Sequence, residues 1–583
     1  MTTFALRFRA AAFFISGCAL TACGGGGTGA SSAPILPAAA IMPQAGTGPV
    51  AFMQNSGPLT SSGTIVKGAS SAIVAVMSGA MQTGSQFSAD TLTVSAGGTQ
   101  TAVRAARMPV VLEPAHGHAP EAFAADDSAL LEKLRAQGSS SVQAPGATRS
   151  SAASVVRANA LPGAKSSIWV QQGGYASRAS VQVPATLLAQ SAHGNIWVQS
   201  TLVSSLSADV PQLTAAFENA YASDTAHFAS PDYGSNAPGM QPQYASCSAS
   251  GSHQGTAPAY IAEPADRRIN VMIVDSSALG GLGGYFSAAN LMTQGALNCL
   301  NAGYESNEAP FIFVGWFSSY GASYELQEDL VRSTAHELQH LINFVNHAIL
   351  APGASSASFN GTEAQYINEG LSMLAQDFAV SQMYAGKGLP FDVADALQRA
   401  QAYLNDPSSY SISAFSGIDP SGWGGNASTA QVNCSGGCYG GAYLFARYLR
   451  DRFGDQFTHE MESSGATGAA NLQAVTGENY GQLFGDFALA MAAGTLGVAS
   501  SDARFSFGTL NLKGTYADQF SHSLTLSGIN AAPYTGGTAT VRAPVGGFAF
   551  MQIPSVPSSG MSVQVTDQAA VAGFALLGGL ASR

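Results

Sequence analysis

Two of the ten histidines in this 583-residue chain, His336 and His340, stand four residues apart with Glu337 beside the first. The segment reads His336-Glu337-Leu338-Gln339-His340. On a helix, positions i and i+4 share one face. Two imidazoles placed so can hold a single zinc ion at about 2.0–2.1 Å each. Zinc draws the pKa of a bound water towards about 7. A carboxylate next to the first ligand can take that water's proton and pass it to a leaving amine. The motif therefore points to one catalytic Zn2+ held by His336 and His340, with Glu337 as general acid/base.

The surrounding sequence supplies the helix. No Gly or Pro occurs between 325 and 350, and Leu330, Leu338, Leu341, Ile342, Val345 and Ile349 form one apolar stripe. The pattern predicts a single helix with the two histidines roughly opposite the stripe. Catalytic zinc usually takes three protein ligands and keeps one position open. The metzincin pattern HExxHxxGxxH does not fit, because Asn343 and Asn346 occupy its Gly and third His positions. His347 shares the histidine face but lies seven residues past His340, about 10 Å along the axis. It is expected in a supporting layer or on the helix surface. Two glutamates downstream, Glu369 and Glu363, remain candidates. A second helical run carries Ile367, Leu371, Leu374 and Phe378 on one stripe, with Glu369 across from them.

The segments 336–343 and 367–372 (Ile-Asn-Glu-Gly-Leu-Ser), with Tyr439-Gly440-Gly441-Ala442-Tyr443-Leu444-Phe445 and Arg447-Tyr448-Leu449, resemble the hyicolysin family of bacterial neutral metallopeptidases. The resemblance runs over about residues 165–500. It implies a zinc endopeptidase of the glutamate-zincin type, with His336, His340 and Glu369 as ligands and Glu337 as acid/base. It also implies an α+β zincin-like catalytic domain with an active-site helix and a second ligand-bearing helix. Thermolysin-like relatives place an acid four positions after the ligand Glu, where it orients a zinc-bound His. Here that position is Met373, and the next acid downstream is Asp377. A metal-bound His almost always donates its other N–H to an acceptor, and Asn368, Gln376, Asp329 or a backbone carbonyl are the choices. A tetrahedral intermediate needs an oxyanion donor besides the metal. Tyr439, ahead of Tyr443, is the candidate by analogy with related zincins. The strand 311–314 before the active-site helix is either the edge that pairs with substrate or a buried core strand.

Around this centre the chain divides by composition. Residues 1–22 form a lipoprotein signal peptide, 23–50 a flexible tether and 51–137 a β-rich region. Residues 138–164 are a linker, 165–500 the metallopeptidase domain and 501–583 a C-terminal β-rich domain. Arg7 and Arg9 precede an apolar stretch over 10–20, and Leu20-Thr21-Ala22-Cys23 resembles a lipobox. Lipidated Cys23 would attach the protein to the cell envelope, at an outer membrane where one exists. Four cysteines remain, and in an oxidising compartment pairs Cys434–Cys438 and Cys247–Cys299 are expected. Net charge is −12 with no Lys/Arg run, which argues against nucleic acid as a partner. The expected partners are protein or peptide substrates, met by a monomer. No DxDxDG-type calcium loop is present, so Ca2+ binding stays open. The competing reading is an inactive zincin-fold surface lipoprotein serving as adhesin or scaffold.

Overall fold

Four strands open the described part of the chain: β1 (Val50–Gln54), β2 (Thr60–Ile65), β3 (Ser71–Ser78) and β4 (Ala89–Ala96). The computed structural model describes residues 50–54, 60–65, 71–78, 89–96, 160–172, 179–232, 261–262, 266–280, 282–299, 303–317, 323–351, 362–385, 391–412, 436–496, 502–518, 523–533, 537–544, 546–553, 561–567 and 574–580. Cys23, Cys247, Cys434, the lipobox and the stretch 128–137, which reads as a short helix, lie outside the described residues.

The central region is built on β5 (Lys165–Gln172), β6 (Ala179–Gln190), β7 (Gly194–Gln199), β8 (Ile269–Asp275), β9 (Gly284–Phe286) and β10 (Phe311–Trp316). They form one mixed sheet in the order β5-β6-β7-β8-β10-β9. β7, β8 and β10 run parallel, while β5–β6, β6–β7 and β10–β9 are antiparallel. The inner strands are apolar on both faces because both faces are covered. Ile196, Val198, Val271, Ile273, Ile312 and Val314 join the main core on one side. Trp197, Met272, Val274, Phe311 and Phe313 alternate with them into a second core. Strand 311–314 is therefore internal, and β9 is the terminal strand beside it.

Helices account for the rest of this region: α1 (Val210–His227), α2 (Ser323–Phe344), α3 (Gln365–Met383), α4 (Ala396–Asn405), α5 (Gly437–Phe453), α6 (Gln456–Ser463), α7 (Gly468–Thr476) and α8 (Tyr480–Thr495). α2 packs on β9 and β10 on one side and against α1 and α3 on the other. The single helix expected over 325–350 changes form at Val345, where a π-helical turn runs to Ile349. The stretch 287–300, helical by its sequence pattern, forms two short pieces, a 3-10 turn at Ala288–Leu291 and an α-helical turn at Gln294–Cys299. Met292 between them bridges to Ile261.

The mixed α+β class matches the expectation. The flanking β regions differ from it in one respect. The C-terminal strands are β11 (Thr515–Ala517), β12 (Ser523–Thr525), β13 (Ala532–Pro533), β14 (Gly537–Pro544), β15 (Gly547–Ile553), β16 (Met561–Asp567) and β17 (Phe574–Leu580). β11 and β12 pair only with each other, while β13 to β17 interleave with the N-terminal four in the orders β1-β17-β3-β15-β13 and β14-β4-β16-β2. Residues 51–137 and 501–583 thus contribute to shared sheets. Neither short set of strands closes a hydrophobic face alone, and pairing with the other end of the chain supplies the missing neighbours. Among the described residues no helix is long and apolar enough to cross a membrane.

Candidate metal centre

His336 and His340 project from α2 with ring centroids 4.9 Å apart and planes at 79°. Glu369 reaches them from α3. Its Oε2 stands 3.4 Å from His336 Nε2 and 3.6 Å from His340 Nε2. The three ligand atoms all lie within 4.8 Å of one another, and all three residues are buried. Two donors each about 2.1 Å from a tetrahedral ion stand roughly 3.4 Å apart, so the contacts have the length of a coordination edge. They are also longer than an ordinary hydrogen bond. Both Glu369 oxygens and His340 Nε2 are buried without a hydrogen-bond partner, which is costly unless a cation completes the group. The donor set and its spacing fit a metal ion.

The approach of α3 depends on a glycine. A Cβ on Gly370, next to Glu369, would lie 2.7 Å from the Ala442 carbonyl oxygen of α5. α5 comes as close to α4 through Gly440, whose Cβ would meet the Arg399 carbonyl oxygen at 1.8 Å. The Gly-rich start of α5 is thus a packing surface.

Glu337 sits at the sheet edge. A Cβ on Gly284 of β9 would lie 3.0 Å from Glu337 Cγ and 3.1 Å from its Oε1. The Phe286 backbone N–H, on the same strand, draws the Glu337 carboxyl down. Burial, and next the charge of Glu369, push the Glu337 carboxyl up to about 8, against the pull of His340 and of that N–H. An acid/base titrating near neutrality suits proton transfer in both directions. Burial opposes a charge on His340, but Glu369 and Glu337 outweigh it and raise the imidazole to about 9. Burial dominates at His336 and lowers it.

Beside Asn368, which was among the expected partners, a residue not named from the sequence approaches His340. Ser372 Oγ stands 3.0 Å from His340 Nδ1. Gln376 instead donates to Asp392 and Asp395. Asp329 pairs with Arg332. Asp377 receives Arg447 Nη1 at 2.7 Å and the Tyr443 hydroxyl at 2.9 Å. Of the four groups named from the sequence, Asn368 alone interacts with the His340 ring.

The remaining candidates fall into place around this centre. Glu363 is not a ligand: it accepts from the Ala364 and Gly468 backbone N–H groups and from Asn471 Nδ2 at 2.6 Å. Those bonds tie the start of α3 to the start of α7. His347 is outside the metal group and fully buried, which removes the surface alternative. Its Nε2 faces Glu462 Oε2 at 3.6 Å. Tyr439 is buried in α5 with the Arg399 guanidinium 5.0 Å over its ring. The charge of Arg399 also lowers His336. Tyr443 is committed to Asp377. Four contributors escaped the sequence reading: Ser372, Gly284, Arg399 and the Phe286 N–H. Ser372 alone left a signal, since it falls one turn from Glu369 on the same helix.

Comparison of the whole chain with protein-family models and with curated protein sequences returns no match.

Proposed function

We propose that this chain is a zinc-dependent endopeptidase of the glutamate-zincin type, built as its resemblance to the hyicolysins implies. One observation carries the reading. Three buried donor atoms of His336, His340 and Glu369 stand at coordination spacing, with the Glu337 carboxyl beside them. Zinc bound there supplies a Lewis acid that activates water and polarises the scissile carbonyl.

The chain's own residues do the rest. Glu337 takes the proton of the attacking water and delivers it to the leaving amine. Gly284 of β9 packs against its side chain at the sheet edge, where a Cβ would lie 3.0 Å from Glu337 Cγ. β9 is an edge strand, so an extended peptide can pair along it with its scissile bond near Glu337. This is why a peptide is the favoured substrate over other hydrolysable bonds. Tyr439 is the candidate donor to the developing oxyanion, with Arg399 biasing its environment. Tyr443 has no part in that step, since its hydroxyl donates to Asp377. Carried on lipidated Cys23, the enzyme would act on proteins of the cell envelope or outside it.

The test is Glu337→Gln, assayed on casein and on a peptide library with metal content measured in parallel. The expected result is a loss of hydrolysis with one zinc per chain retained. Undiminished, chelator-sensitive cleavage by the variant refutes the assignment. A wild-type protein that binds zinc and cleaves nothing transfers the case to the scaffold reading.

A further inference from the structure

His340 has two ring nitrogens, and Nε2 faces the Glu369 oxygen at 3.6 Å. Nδ1 is then the atom left to fix the ring, and its neighbour is Ser372 Oγ at 3.0 Å. The serine hydroxyl in turn donates to Gln339 Oε1 and is within 3.0 Å of the Asn368 carbonyl oxygen. Gln339 presents its other end to α6: Nε2 donates to Glu462 Oε1 at 2.9 Å. Asn343, one turn further along α2, donates from Nδ2 to Glu462 Oε2 at 3.1 Å. Ser372, Gln339, Asn343 and Glu462 are all buried.

The polarity of this chain follows from valence. If Nε2 is a ligand, Nδ1 carries the proton and donates to Ser372 Oγ. The hydroxyl proton then points away from His340, to Gln339 Oε1. An amide whose oxygen is so engaged turns its N–H groups to the far side, where Glu462 accepts. Every donor points from the metal site towards one carboxyl group on a different helix. Glu462 can accept from Gln339 whether or not its second oxygen is protonated.

We propose that Ser372, Gln339 and Glu462 are a positioning relay for His340, standing in for the directly bonded carboxylate that Met373 does not provide. Asn343 holds the far end of the relay in place. The proposal rests on the metal reading above and deepens it. Outer groups that orient a metal-bound histidine typically contribute about 10–100-fold in affinity. The relay predicts that this factor is shared along it and vanishes when any link is cut.

The experiment measures zinc affinity by chelator competition in the full chain, with the visible spectrum of the Co2+-loaded protein and the ring-nitrogen NMR of His340. Variants are Ser372→Ala, Ser372→Thr, Gln339→Met, Glu462→Gln and the double variant Ser372→Ala/Glu462→Gln. The expected results are a loss of about 10–100-fold for Ser372→Ala, near-normal binding for Ser372→Thr, and a shifted Co2+ spectrum for Ser372→Ala and Glu462→Gln. The double variant should bind no worse than Ser372→Ala alone, because the second cut falls on a relay already broken. Fully additive losses overturn the relay. So do wild-type affinity and spectrum in both Ser372→Ala and Glu462→Gln. Gln339→Met decides the matter should Glu462→Gln not fold, with wild-type affinity and spectrum counting against the relay. A wild-type protein that takes up neither Zn2+ nor Co2+ refutes the metal centre itself, an outcome distinct from the relay's failure.

Discussion

Replacing Gly284 by alanine tests whether the sheet edge positions the acid/base. The added Cβ would lie 2.8 Å from the Phe313 carbonyl oxygen, 3.0 Å from Glu337 Cγ and 3.1 Å from Glu337 Oε1. Ordinary contact for such atoms begins near 3.5 Å, so something moves by roughly half an ångström. The Phe313 oxygen belongs to β10, which is hydrogen-bonded on both sides and yields little. The Glu337 side chain is the softer neighbour and gives way. Overpacking of this size costs about 1–3 kcal/mol of stability. A displacement near 1 Å of a catalytic group can cost on the order of 100-fold in rate. None of the atoms the methyl meets belongs to His336, His340 or Glu369, so zinc affinity should be unchanged. The assay is kcat/KM on a fluorogenic peptide, with zinc stoichiometry and thermal unfolding on the same preparation. The expected variant is folded, fully metallated and about 10-fold slower, half the displacement carrying roughly half the logarithm of the effect. Combining it with Glu337→Asp, which withdraws the carboxylate from the methyl, should cost less than the product of the two single effects. A folded Gly284→Ala enzyme with wild-type kcat/KM would falsify the argument.

Two further outcomes follow from the buried groups. Burial depresses His347 from 6.5 to about 4 in the fold, so the unfolded chain takes up the proton first as pH falls. The native state should lose about 3 kcal/mol from this residue between pH 6.5 and pH 4. Urea unfolding of wild type and His347→Gln at pH 7 and pH 4 measures it, and equal losses in both proteins refute it. Removal of metal should lower stability, because the Glu369 carboxylate and His340 Nε2 are then left buried without a partner. Free zinc at a hundred times its Kd should add about 2.7 kcal/mol. A melting temperature indifferent to chelator and to added zinc contradicts the metal site.

Much of the centre is legible in local sequence, and the reason is geometric. The i, i+4 spacing of His336 and His340 is converted to a shared face by any α-helix, and the run without Gly or Pro made that helix predictable. Glu337 follows from its place beside the first ligand. The alternation of inward residues along β8 and β10 is likewise a backbone property. Elements whose partners are distant were less accessible. The apolar run at 311–314 suited an edge or an interior strand equally, and only the pairing of β10 between β8 and β9 decided it.

By itself, then, the amino-acid order determined two imidazoles and a carboxylate in a helical frame, and a second helix offering Glu369. Tertiary structure decided which carboxylate arrives: Glu369 meets the histidines while Glu363 is spent on the backbone of α7. It also decided how His340 is held. A serine one turn from Glu369, a glutamine between the two histidines and a glutamate 122 residues beyond His340 come together. No helical or strand period relates such positions, because hydrogen bonds between helices depend on how close backbones can approach. Here that closeness is set by Gly370 against Ala442 and Gly440 against Arg399.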